Sequence, residues 1–358
     1  MSIVNFLIVL GVIFALWTML IRKGMKNLTC RRSFSRTRVF EGESGELIEV
    51  VRNDGPYIIP WLRVESYISP NIRLGKQDSL HVSSDTFYRS CFTLMPYQQI
   101  KRTHHVRFLG RGVYDLGNAS LGAGDLLGMT RFWRDQQLST PVVVYPRILD
   151  TDELPYPLSM VLGEMVTKAR TLSDPFLVRG IRPYQPGDPV KDIHWQATAR
   201  SEDVLVRVHD HTLCTRLLVV FNVQNHDAQW DNYVRPEDVP QVENTIRLAA
   251  SMCLHALRNG LAAGFATNMP QKTLRGESTK VLPTDGLVSE EGLLEAFAGL
   301  QVHCSEKFVT LLQSLEQYSG LDILVISTYD SESIRQRIAA LKARGNQVTF
   351  YQAEGGSL

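Results

Sequence analysis

The run Arg179 to Arg200, RGIRPYQPGDPVKDIHWQATAR, separates two halves of the 358-residue chain that obey different grammars. Before it, short apolar–polar alternations divided by turn residues read as strands. After it, strands alternate with helix-length amphipathic stretches. A chain so divided is expected to fold as a β-rich half followed by an α/β half, with this run as the corner. Pro186-Gly187 reads as a tight turn, because proline presets φ at one central position and glycine tolerates positive φ at the next. Asp188-Pro189 reads as a helix start. That predicts a short helix over Lys191 to Arg200, with Ile193 and Ala197 on one face. Trp195 is expected to be a buried anchor. Arg182 and Arg200 flank the turn, with Asp188 and Asp192 as candidate partners. These residue types suit an internal clamp locking two domains better than a catalytic loop, since no activated nucleophile stands beside them.

Arg182, Tyr184, Pro186, Gly187, Asp188, Ile193, Trp195, Ala199 and Arg200 fall in step with the pattern R-x-Y-x-P-G-D-x-x-x-x-I-x-W-x-x-x-A-R. On those residues the run resembles the hallmark of the bacterial family known as domain of unknown function 58. Pro189 departs from the polar residue common there, and His194 stands where Asp or His is found. Asn53-Asp54-Gly55, Arg111-Gly112-Val113-Tyr114 and Asp125-Leu126-Leu127-Gly128 look like further landmarks of the same family. The resemblance implies a von Willebrand factor A-like domain. It also implies work beside a MoxR-type AAA+ ATPase, as an adaptor in the assembly or maturation of client proteins.

Ile3 to Ile21 is apolar apart from Asn5 and Thr18. As a helix it spans about 28 Å at about 1.5 Å per residue, close to a hydrocarbon core of about 30 Å. No basic residue precedes the run and no small-residue cleavage site closes it, so a retained anchor is expected rather than a signal peptide. Arg22, Lys23, Lys26, Arg31, Arg32, Arg36 and Arg38 follow with no acid before Glu41. The excess of positive charge places this side in the cytoplasm and favours anionic lipid. The expectation is a single-pass protein of the inner membrane with its soluble domains in the cytoplasm. Residues 1–21 would be the anchor, 22–33 a basic linker, 34–147 a β-sandwich, 148–202 a connector carrying the hallmark, and 203–358 an open, mostly parallel sheet with helices on both faces. A net charge of +1 argues against bulk nucleic-acid binding. The five cysteines are widely spaced with no C-x-x-C pair, which fits free thiols in a reducing compartment.

A von Willebrand A domain holds a divalent cation through D-x-S-x-S after its first central strand. The corresponding positions here are Asn222, Gln224 and His226. Amides and an imidazole replace the carboxylate and hydroxyl oxygens that a hard cation needs, so no metal or cofactor is expected. His209 and His211, with Cys214 or His226, make only a weak zinc pattern. His104 and His105 are expected on opposite strand faces. The sandwich is read as carrying no clustered acid–base groups. G-x-S-x-G, H-E-x-x-H and P-loop patterns are absent from the sequence. The favoured reading is therefore a non-enzymatic interaction protein. The alternative is an envelope-associated hydrolase with a site around His194, Asp188 and Arg200.

Overall fold

The computed structural model describes all residues except 1–2, 76–79, 85–86, 125–130, 172–177, 186–187, 202, 210–215, 227–228, 230–232, 271, 274–275, 278–279, 282–288 and 354–358. The chain divides into two compact units, Met1–Arg147 and Ile148–Leu358.

The first unit opens with helix α1 (Ile3–Lys26). It continues through strands β1 (Leu28–Phe34), β2 (Arg38–Phe40), β3 (Ser44–Asn53), β4 (Ile59–Tyr67), β5 (Ile72–Leu74) and β6 (Leu80–Ser84). Strands β7 (Phe87–Leu94), β8 (Gln99–Phe108), β9 (Gly112–Asp115), β10 (Ala119–Gly124), β11 (Arg131–Gln136) and β12 (Pro141–Tyr145) complete it. The sheets run β1-β3-β8-β5 and β11-β10-β4-β7-β6, with a third, β2-β12-β9, in which β2 and β12 are parallel. The described residues of the segment expected as a β-sandwich, 34–147, thus form antiparallel-rich sheets.

α1 is the one helix among the described residues long and apolar enough to cross a membrane. Its side chains are exposed from Phe6 to Leu16, whereas Ile21 and Met25, one turn apart, are buried in a sandwich core with Ile59, Leu62, Leu94 and Leu121. Arg134 donates to the carbonyls of Met25 at 2.9 Å and Leu28 at 2.5 Å, satisfying acceptors at the helix end. The expectation of a linker over residues 22–33 is corrected here. The helix runs on to Lys26, and Leu28–Phe34 is a core strand because Leu28, Cys30 and Phe34 alternate inward.

The second unit begins with α2 (Tyr156–Thr171), whose Leu158, Leu162 and Met165 join a buried cluster with the later helices. Residues read as a connector therefore form part of a core. Strands β13 (Val178–Pro183) and β14 (Leu205–His209) bracket the hallmark, with α3 (Trp195–Thr198) between them. There follow β15 (Arg216–Phe221), α4 (Val239–Arg258), β16 (Ala262–Thr267), β17 (Lys272–Thr273), β18 (Gly276–Glu277), β19 (Lys280–Val281), α5 (Glu290–Ala298), α6 (Phe308–Leu315), β20 (Asp322–Ser327), α7 (Glu332–Ala343) and β21 (Gln347–Gln352). The main sheet has the order β19-β16-β15-β20-β21, parallel except for the short edge strand β19.

Alternation along β15 explains why both faces are covered. Leu217, Val219 and Phe221 join the core under α4 and α5, while Leu218 and Val220 join the core under α6 and α7. Helices on both faces of a mostly parallel sheet are as expected. The strand β14 that directly follows the hallmark is not part of that sheet. β14 pairs antiparallel with β13 in a two-stranded sheet of its own.

Candidate functional site

The hallmark is built as a decorated hairpin. In the β13–β14 register, Arg182 lies opposite Val206 and Pro183 opposite Leu205. Tyr184 N–H donates to Val204 at 2.8 Å and His194 N–H to Leu205 at 2.8 Å, so the whole excursion from 184 to 204 is tied back to one strand. Arg182 grips Asp188 with two parallel bonds of 2.7 Å, one to each carboxylate oxygen. Asp188 also accepts from Gln185 N–H at 2.8 Å. The Arg182 fork and that N–H hold the Asp188 carboxyl below its usual range. This is the pair the sequence suggested, although Pro186 and Gly187 of the same turn lie outside the described residues.

Three expectations for this run are corrected. The helix predicted over Lys191–Arg200 is a single 3-10 turn, Val190–Asp192, followed by the four-residue α3. Ile193, between them, makes a β-bridge to Val206 and is extended, which interrupts any continuous helix. Asp188 is not a helix cap, since its oxygens are taken by Arg182 and Gln185. His194 caps α3 instead, its Nδ1 accepting from Ala197 N–H at 3.1 Å. Trp195 is not buried: it is 65% exposed, and Tyr184, Val190 and Ile181 are also exposed. Among the described residues of the corner, Ile193 and Val206 are the buried apolar ones. Arg200 is exposed. An internal clamp requires a buried tryptophan, and this hairpin holds itself together without one.

The second candidate region lies at the carboxyl ends of the parallel strands, where α/β sheets gather ligands. Asn222 follows β15 directly, as the sequence placed it. Its Oδ1 accepts from Gln224 N–H at 2.9 Å and Asn268 Nδ2 at 3.2 Å, and its Nδ2 donates to Ser327 Oγ at 3.1 Å. Asn268 Oδ1 accepts from Val223 N–H at 3.1 Å, and Gln224 Oε1 accepts from Phe308 N–H at 2.7 Å. Asn222, Gln224, Asn268 and Ser327 are all buried, whereas His226 is exposed. Neutral amides here stitch three strand ends and the start of α6 together. Among the described residues, no group of three or more His, Cys, Asp or Glu side chains is placed to hold a metal ion. His211 and Cys214 lie outside the described residues, and the side chain of His209 is not described.

A third cluster was missed from sequence and corrects the reading of the sandwich. Arg32 on β1 donates to Glu49 Oε1 on β3 from Nε at 2.9 Å and Nη2 at 2.7 Å. Tyr88 on β7 donates to Glu49 Oε2 at 3.0 Å and lies 2.8 Å from His104 Nε2 on β8. Ser66 bonds Arg32, and Ser90 bonds Tyr88. All six residues are buried. Burial alone would raise the Glu49 carboxyl, but His104, the Arg32 charge and the bonds it receives hold it below its usual value. Burial, then the Glu49 charge, pushes the Tyr88 phenol well up. The signal was present in the pattern: Arg32 and Glu49 occupy inward positions between apolar neighbours Cys30/Phe34 and Leu47/Val51. His104 is buried and His105 exposed, so the opposite-face expectation for that pair holds. Its burial and its internal hydrogen bonds make this layer part of the sandwich's framework.

The Arg111–Tyr114 landmark is also structural. Tyr114 OH donates toward the Gly110 and Arg111 carbonyls at 2.9 and 2.7 Å, and a Cβ on Gly112 would come within 2.7 Å of the Tyr114 ring. The Asp125–Gly128 landmark lies outside the described residues. Cys30, Cys91, Cys253 and Cys304 are free thiols, in line with expectation.

Comparison with known proteins agrees with the hallmark reading. Residues 180–280, which carry the hallmark, match the family described as "Protein of unknown function DUF58". No curated protein matches the chain. Among solved structures, native alpha-2-macroglobulin from Escherichia coli matches at 12% identity with a TM-score of 0.27, over 33% of this chain and 23% of that one. The CARDB domain of a Pyrococcus furiosus protein matches at 13% identity and a TM-score of 0.22, over 33% and 93% of the two chains. A non-cellulosomal cohesin from Archaeoglobus fulgidus matches at 10% identity and a TM-score of 0.22, over 35% and 94%. Likenesses this slight carry no argument about function.

Proposed function

We propose that this protein is a membrane-anchored, non-enzymatic adaptor that presents the hallmark hairpin to a MoxR-type AAA+ ATPase and so couples it to client proteins. The observation that carries the reading is the 65% exposure of Trp195 on a segment fastened by its own bonds. Large aromatics held in the open on a rigid element are what interfaces use as anchors. The second unit is read as a von Willebrand A-like domain in which an amide clamp at Asn222, Gln224 and Asn268 takes the place of a cation. α1 is read as a single span of the inner membrane. Arg22, Lys23 and Lys26 at its end orient the soluble units toward the cytoplasm. A hydrolase centred on His194, Asp188 and Arg200 is less well supported, because Asp188 is occupied by Arg182 and His194 Nδ1 by a backbone N–H.

The test is co-purification from native membranes with tagged wild-type protein and the Trp195→Ala variant. The ATPase is expected with the wild type and lost or sharply reduced with the variant. Equal recovery with both, or recovery with neither, contradicts the proposal.

A further inference from the structure

We infer that the end of the sandwich beneath α1 is a lipid-contacting platform that rests in the anionic headgroup layer. The inference depends on the reading of α1 as a membrane span. The Asn53-Asp54-Gly55 landmark supplies the construction. The buried Asn53 side chain donates to the carbonyls of Tyr57 at 2.7 Å and Met95 at 3.0 Å, and its Oδ1 accepts from Gly55 N–H at 3.1 Å. One amide thereby clasps the β3–β4 turn to the β7–β8 turn. Both turns are joined to the helix end. Asp54 N–H donates to Asn27 at 2.9 Å, Tyr97 N–H donates to Gly55 at 3.2 Å, and a Cβ on Gly55 would lie 2.7 Å from Asn27 Nδ2.

No free linker separates span from platform. The exposed apolar face of α1 gives way at Ile21, which is buried in the sandwich, and Asn27 lies six residues further on. At about 1.5 Å per residue this places the two turns within about 10 Å of the apolar boundary. A headgroup layer of roughly 5–8 Å per leaflet covers most of that distance.

What the turns display suits that layer. Tyr97 is 70% exposed, and Met95 and Ile58 are exposed beside it. Tyr97 is the one positive-φ non-glycine among the described residues, at φ 55°. A tyrosine held in a left-handed conformation that glycine adopts more easily is retained against a backbone cost. Tyrosine is enriched at the membrane interface because its ring is apolar and its tip is polar. Arg22, Lys23 and Lys26 are exposed on the last turns of α1, and the acid of the turn, Asp54, is paired with Arg52 at 2.5 Å. The exposed charge of this end is thus positive, which selects an anionic lipid surface.

The full chain in vesicles of equal parts phosphatidylcholine and phosphatidylglycerol tests this. An environment-sensitive fluorescent amino acid replaces Leu10 in α1, Tyr97 on the platform, or Leu109, which is exposed at the opposite end of β8. Doxyl-labelled lipid is then added as quencher. Emission is expected to be lost at Leu10 and at Tyr97 but not at Leu109, with the Tyr97 loss diminished when phosphatidylglycerol is replaced by phosphatidylcholine. Quenching at Leu10 with Tyr97 as insensitive as Leu109 overturns the platform while leaving the anchor intact. No quenching at Leu10 overturns the anchor and the platform together. Equal Tyr97 quenching in both lipids overturns the charge selectivity.

Discussion

Arg32–Glu49 and Arg182–Asp188 are the same chemical pair in opposite settings. The first has side chains about 1% and 0% exposed, and the second 41% and 16%. In the sandwich, every partner of the pair is also buried, and the cluster forms one polar layer between two apolar cores. Toward α1 lie Cys30, Val51, Val64 and Phe92, and on the other side lie Phe34, Leu47, Val106 and Phe108. In the hairpin, the pair fixes a turn in contact with water. Burial decides what such a pair does: inside it dictates strand register and stability, while outside it shapes a surface and contributes little to global stability.

The sharpest way to break this comparison is to remove one partner on the buried side. Glu49→Ala leaves the Arg32 guanidinium stranded among apolar side chains, and a cost of about 3–5 kcal/mol to the sandwich is expected in denaturant unfolding of the solubilised full chain. The double variant Arg32→Met with Glu49→Leu should recover much of that loss, because no orphan charge remains. If Glu49→Ala unfolds at the wild-type midpoint, the layer is not structural.

A smaller effect is expected at the strand ends. Asn222→Asp removes the donor to Ser327 and places a carboxylate in a buried amide clamp. A loss of about 1–3 kcal/mol is expected, deepening as the new carboxyl ionises. Stabilisation of this variant by added magnesium would instead show that a latent cation site survives.

The pH dependence follows from the same buried layer. Glu49 is held below its ordinary value when folded, so its contribution is present above the unfolded carboxyl value and lost as pH falls through the folded one. Tyr88 is held above its ordinary value, so the folded state keeps a proton that the unfolded chain sheds near pH ~10. Unfolding midpoints should therefore fall on both the acid and the strongly alkaline side, and Tyr88→Phe should remove part of the alkaline decline. Cys30, pushed up to about 12 by burial and by Glu49, should resist thiol reagents at neutral pH until the sandwich unfolds.

The fold was largely legible because periodicity reports burial. The alternation of strands and amphipathic helices expected after the hallmark is seen through to α7 and β21. The apolar run Leu217–Phe221 lies in the middle of the parallel sheet. Two features escaped for physical reasons. A strand such as β14 carries its own alternation, but its pairing partner is a long-range choice that local pattern does not contain. The layer around Glu49 is assembled from one or two residues on each of β1, β3, β4, β7 and β8, a grouping that no single strand's pattern contains. At the hallmark, residue types identified the ion pair and the turn. They could not say which way Trp195 faces, because a tryptophan beside a tight turn suits both a buried anchor and a displayed one.

That last ambiguity is settled most directly by the unfolding midpoint of Trp195→Ala in the full chain. A displayed side chain costs little on truncation, so a change within about 0.5 kcal/mol of wild type is expected. A loss of about 3–5 kcal/mol, the cost of emptying a tryptophan site in a packed core, would restore the internal clamp and contradict the docking surface.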